Sequence, residues 1–223
     1  MKTNSELQKD VQDAIRWEPL MHAAEIGVTV KQGVVTLTGT VDNYTKKLEA
    51  ENATKNVAGV KAVVEKIEVE FPNSWRKNDN EIATEVVNAL KMDWSVPNDK
   101  VKVKVENGWI TLDGDVNWNF QREAAKKAIR GLEGVVGINC LIKIKSESND
   151  AIEKKDVEKA LERNWSINAD DISVAVHGTK VTLTGSVSSL YQKTEAELIA
   201  YNTKGIWSVD NQLEVEYSFE LAN

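Results

Sequence analysis

The chain has 223 residues, 41% hydrophobic and 28% charged, with a formal charge of −7 and a pI near 5.1. These values exclude a disordered chain and argue against nucleic acid as the main partner, because phosphate binding needs a positively charged surface. The single cysteine, Cys140, excludes an intrachain disulfide, and no stretch approaches the roughly 18 apolar residues of a membrane span.

In chain order, the first predicted element is a helix. Leu7, Val11, Ala14 and Ile15 stand at i, i+4, i+7 and i+8, one apolar face, and Thr3 with Glu6 has the form of an N-cap followed by an acid. The alternation in VTVKQGVVTLTG then predicts two antiparallel strands around a turn. A second helix carries a stripe of small residues (Ala50, Ala53, Val57), and VVEKIEVE closes the series as a strand.

The series then repeats twice. After the linker FPNSWRKNDN (residues 71–80), Ile82, Val86, Ala89 and Leu90 restate the first helix, with Asn78 and Glu81 at its cap. VKVKVENGWITLDG restates the hairpin, with Asn107-Gly108 as its turn; Ala125, Ala128 and Leu132 restate the small stripe, and INCLIKIK the last strand. After SESND (residues 146–150), Val157, Ala160 and Leu161, then ISVAVHGTKVTLTG, then Ala196, Ile199 and Thr203, and finally VDNQLEVE follow the same order. Trp94 and Trp165 lie four residues beyond Leu90 and Leu161 and extend the helix stripe, which places them in the core.

Six glycines set the register. Gly39, Gly114 and Gly185 close TLTG, TLDG and TLTG, at offsets of 75 and 71 residues. Gly59, Gly134 and Gly205 each lie 20 residues further on, where positive φ suits the turn out of the second helix. The predicted class is therefore α+β: three tandem αββαβ units, each a small three-stranded mixed sheet with two helices on one face. The expected boundaries are 1–72, 78–146 and 149–218.

The G-x-V-T-L-x-G-x-V core and the G-V-x-x-V opening of the final strand, seen in Gly59-Val60-Lys61-Ala62-Val63 and Gly134-Val135-Val136-Gly137-Ile138, resemble the BON domain across nearly the whole chain. Copy three departs: Thr179 replaces the turn glycine, so a turn shifted toward Gly178 is expected, and Ile206-Trp207-Ser208-Val209 replaces the usual opening. The family occurs in bacterial envelope and osmotic-stress proteins. The resemblance implies a stress-associated, non-enzymatic binding module for phospholipid or other envelope surfaces. The start MKTNSELQKDV has no apolar signal-peptide region, so the cytoplasm is expected, with the periplasm as the alternative if a signal has been removed.

No catalytic, metal or cofactor site is expected. His22 and His177 have no neighbouring ligand cluster, and Cys140 is read as a buried strand residue without a histidine partner. Asp113 with Asp115 and Asp170 with Asp171 are read as solvated loop charge, since the first two align with Thr38 and Thr40. GLEG at residues 131–134 matches a G-x-x-G nucleic-acid clamp, but loses a glycine in the other copies and precedes a strand.

Charge separates the copies. Residues 1–75 hold 9 basic and 11 acidic side chains, residues 76–146 hold 12 and 10, and residues 147–223 hold 7 and 14. The basic middle copy alone joins Arg122, Lys126, Lys127 and Arg130 on its second helix to Trp118 and Phe120 at that helix's start. Two readings of the aromatic pair stand: a hydrophobic staple, since Tyr44 and Tyr191 occur nearby in the other copies, or an anchor for an anionic phospholipid surface. A protein partner docking on the repeated units is the alternative function.

Overall fold

The computed structural model describes residues 2–21, 26–72, 77–145 and 154–216. They group by compactness into two units, one of Met1–Gly39, Leu48–Ile67 and Ala151–Asn223, the other of Thr40–Lys47 and Glu68–Asp150.

Copy one runs α1 (Asn4–Arg16), β1 (Ile26–Lys31), β2 (Val34–Val41), α2 (Tyr44–Asn56) and β3 (Ala62–Val69). Copy two runs α3 (Asp79–Met92), β4 (Val101–Glu106), β5 (Trp109–Val116), α4 (Asn119–Ile129), β6 (Gly137–Cys140) and β7 (Lys143–Ile144). Copy three runs α5 (Lys154–Glu162), β8 (Ile172–His177), β9 (Lys180–Val187), α6 (Leu190–Tyr201), β10 (Ser208–Asn211) and β11 (Glu214–Val215). The expected mixed α+β architecture is present three times.

In each sheet the TLTG-type strand is central. β5 pairs antiparallel with β4 and parallel with β6 and β7, and β9 pairs likewise with β8, β10 and β11. The last strand, expected as one run, is broken in copies two and three opposite the motif glycine. The register survives the break: Leu112 faces Cys140 and Asp115 faces Lys143, both 28 residues apart.

All six motif glycines have φ between 84° and 141°. At Gly114 a Cβ would stand 2.0 Å from the Lys100 carbonyl oxygen, so the strand passes its neighbour too closely for any side chain. The hairpin turns differ by copy. Gln32-Gly33 and Asn107-Gly108 both have two positive φ values, the I′ pattern, whereas in copy three only Gly178 is positive, the II′ pattern. The turn between β8 and β9 thus keeps its place; moving the glycine one position changes the turn type instead of shifting it.

The core follows the first-helix stripe. Leu7, Val11 and Ile15 are buried in copy one, Ile82, Val86 and Leu90 in copy two, and Val157 and Leu161 in copy three. On the second helices the deep row is Ala50 with Thr54, Ala125 with Ile129 and Ala196 with Ala200. Val57, Ala128, Leu132, Ile199 and Thr203 are only half-buried, so the small stripe is rotated by part of a turn from the expected one. Thr54 is tolerated because its hydroxyl donates to the Ala50 carbonyl at 2.8 Å.

The first helix is tied to the hairpin by its first residue. Asp79 accepts from the backbone N–H groups of Asn107 (2.8 Å) and Gly108 (2.9 Å), and Asn4 accepts from Gln32 N–H (3.0 Å) in copy one. Thr3–Glu6 and Asn78–Glu81 form the expected capping boxes.

Candidate functional site

Among the described residues, those that end the first helix build the most exposed apolar surface. In copy two α3 stops at Met92 and Asp93 takes φ −88°, ψ 107°, so the 3.6-residue period that would have carried Trp94 inward is interrupted. Asp93 Oδ1 accepts from the Ser95 N–H at 3.0 Å and from the Ser95 hydroxyl, a tight turn with Trp94 at its apex. Val96, 4% exposed, returns to the core in its place. Copy three repeats the device: Asn164 Oδ1 accepts from the Ser166 N–H (3.0 Å) and hydroxyl (2.7 Å), and Ile167 is the residue that plugs the core.

Trp94 and Trp165 are therefore not core residues. They are 93% and 96% exposed, and Trp17, at the C-cap of α1, is 84% exposed. The D-W-S-V and N-W-S-I stretches were the signal: an Asx-type turn residue before each tryptophan and a β-branched residue two positions after it.

The second helix begins beside this turn. In copy three Gln192 Nε2 donates to the Ser166 carbonyl at 2.7 Å and Asn164 Nδ2 donates to Glu195 Oε1 at 3.1 Å, which sets the end of α5 against the first turns of α6. In copy two α3 and α4 are likewise antiparallel, because Lys77, just before α3, bridges Glu85 (2.6 Å) and Glu133, beyond the end of α4 (3.0 Å). These two carboxylates, Glu85 first, hold the Lys77 ammonium above its usual range. The Asp93 carboxyl is held below its usual range, chiefly by the Ser95 hydroxyl and N–H, with Lys127 of α4 adding to the effect. Trp94, Met92 and Phe120 thus occupy one end of copy two, all exposed.

Of the residues expected to touch lipid, Phe120, Lys127 and Arg130 are exposed. Trp118 is half-buried and occupies the N-cap of α4, where Asn43 and Ser189 stand in the other copies. Gln121 Oε1 accepts from its N–H at 3.1 Å. With Trp118 at N-cap and Phe120 at N2, neither holds the N′ or N4 position of a hydrophobic staple. Arg122 and Lys126 both pair with Glu123, at 3.5 Å and 2.6 Å, so the helix presents less free charge than its sequence suggests.

The other polar candidates are dispersed. Asp115 pairs with Lys145 at 2.7 Å, Asp113 accepts from the Gly114 N–H, and Asp171 accepts from Asn168. Cys140 is half-buried and His177 exposed, and His22 lies outside the described residues. Glu133 of the GLEG stretch is the partner of Lys77. Among the described residues no group of three His, Cys, Asp or Glu side chains is placed to hold a metal ion, and no helix is long and apolar enough to cross a membrane.

The BON domain family model matches residues 3–70, 78–146 and 149–217. The chain belongs to the BON domain family. The glycines Gly39, Gly59 and their equivalents are the framework of its three BON repeats. Osmotically-inducible protein Y of Escherichia coli (strain K12) is 30% identical to the BON chain over 127 residues, 55% of this chain and 63% of that protein, so under two thirds of the relative's length is spanned. Two solved structures of CdsD, a structural protein of the Type III secretion system of Chlamydia trachomatis, are 16% and 15% identical. They cover 95% and 97% of this chain and 93% and 100% of their own, with TM-scores of 0.25 and 0.26, too low to carry an argument.

Proposed function

We propose that this BON protein is a non-enzymatic, stress-associated binding module whose middle copy associates reversibly with anionic phospholipid surfaces. The observation that carries the reading is Trp94, held almost wholly in water by a hydrogen-bonded turn at the end of the copy where α4 begins, with Phe120 as the second residue of that helix. Indole and phenyl side chains partition to the headgroup region of a bilayer, and each nearby cation adds about 1 kcal/mol on an anionic surface. Lys127 supplies that charge beside the Asp93 turn, and Arg130 adds a second cation at the far end of α4, in the one copy with a basic excess. The association with stress comes from the name of the Escherichia coli relative.

Cosedimentation of the full chain with phosphatidylglycerol and with phosphatidylcholine vesicles at low salt tests the reading. Binding to the anionic vesicles alone, reduced in Trp94→Ala and in Lys127→Glu/Arg130→Glu, is expected. No binding to either vesicle overturns it. A protein-docking role is the second reading, favoured by copy three, where the same turn presents Trp165 with Tyr191 in an acidic setting.

A further inference from the structure

Copy three has a groove of about 470 Å³ between α5 and α6, with Asp156, Lys159, Ala160, Arg163, Ile199 and Lys204 among its lining residues. Its chemistry runs against that of its surroundings. Residues 147–223 hold 14 acidic and 7 basic side chains, yet three of the seven cations line this one feature. Lys154 pairs with Glu158 and Lys180 with Asp210, whereas the side chains of Lys159 and Arg163 have no partner among the described residues. The two stand one helical turn apart, on the same face of the chain leaving α5.

The other copies do not build this groove's rim. Lys159 and Arg163 align with Asn88 and Met92 in copy two, and with Asp13 and Trp17 in copy one. At the far end, Glu85 and Glu133, the equivalents of Asp156 and Lys204, are closed together by Lys77. The cationic rim thus belongs to copy three alone, and it borders apolar surface from Ala160 and Ile199.

We propose that this groove binds a small anionic amphiphile as a single molecule. Lys159 and Arg163 hold its carboxylate or phosphate head, and its chain lies on Ala160 and Ile199. Arg163 offers a planar fork of donors for either head, and the volume admits a head and several methylenes, far more than a bare phosphate fills. The proposal concerns a dissolved molecule and a different copy, and does not rest on the vesicle reading above.

The test is titration of the isotope-labelled full chain, followed by amide NMR shifts. The probes are decanoate and decyl phosphate below their micelle-forming concentrations, with inorganic phosphate and the neutral octyl glucoside as controls. Saturable shifts at Ala160, Arg163, Ile199 and Thr203 are expected with both anionic amphiphiles and not with the controls. Lys159→Gln/Arg163→Gln should weaken the apparent affinity at least tenfold, with the spectrum elsewhere unchanged to show that the variant is folded. Equal shifts with octyl glucoside, saturation by inorganic phosphate alone, shifts confined to other residues, or undiminished binding by the folded variant each overturns the proposal.

Discussion

Replacing Trp94 or Trp165 by alanine is expected to leave the stability of the chain within about 0.5 kcal/mol of its starting value. A fully buried indole removes up to about 250 Å² from water, worth about 6 kcal/mol at roughly 25 cal/mol per Å². With Trp94 93% exposed and Trp165 96% exposed, only a few per cent of that area is covered, corresponding to roughly 0.4 kcal/mol or less. Leu90→Ala is the internal comparison: Leu90 is 2% exposed, and truncating a leucine at such a site costs about 2–5 kcal/mol. Urea denaturation followed by far-UV circular dichroism is the suitable assay, because removing a tryptophan alters the fluorescence signal itself. Three repeats need not unfold as one transition, so the Trp94→Ala midpoint is compared with the transition that Leu90→Ala displaces. A loss above about 2 kcal/mol in Trp94→Ala would refute the reasoning, by showing the indole buried against something that the turn geometry does not provide.

Gly114→Ala should cost at least about 2 kcal/mol in thermal or urea unfolding, since φ is +141° and the new Cβ would meet the Lys100 carbonyl oxygen at 2.0 Å, whereas Gly131→Ala, with nothing within 4 Å of its Cβ, should stay within about 0.5 kcal/mol. Asp79→Ala should cost about 1–2 kcal/mol and speed hydrogen exchange at the Asn107 and Gly108 amides, while Asp79→Asn should retain part of the tie, as Asn4 does in copy one. Because the Asp93 carboxyl is held below its ordinary range, its contribution is present above the ordinary carboxylate pKa and is lost as pH falls through the folded value. Ser95→Ala should therefore move the Asp93 titration upward when followed by side-chain NMR, and an unmoved titration would assign the shift to the backbone N–H at position 95 and Lys127.

The candidate site was legible in sequence only in part. Exposure of Phe120, Lys127 and Arg130 follows from their places on an amphipathic helix, but the pairing of Arg122 and Lys126 with Glu123 depends on rotamers that a sequence does not specify. Trp118 drew attention as an aromatic residue near a basic run, yet its N-cap position leaves it half-buried. The groove in copy three is not legible in sequence, because Lys159 on α5, Arg163 just beyond it and Lys204 beyond α6 come together only when the two helices pack.

What the sequence by itself determined is the repeated αββαβ order and its register. Apolar periodicity and positive-φ glycines are local constraints, and each recurs three times at matching offsets. What only the tertiary structure decided is where each periodic stripe stops. α3 ends at Met92 because Asp93 turns the chain out of the helix and closes a hydrogen-bonded turn with Ser95. Val96 and Ile167 can then fill the core, leaving the indoles of Trp94 and Trp165 in water. A helical period continues only while the helix does, and the choice between a buried indole and a buried β-branched side chain is made by how much room the sheet leaves beneath that turn.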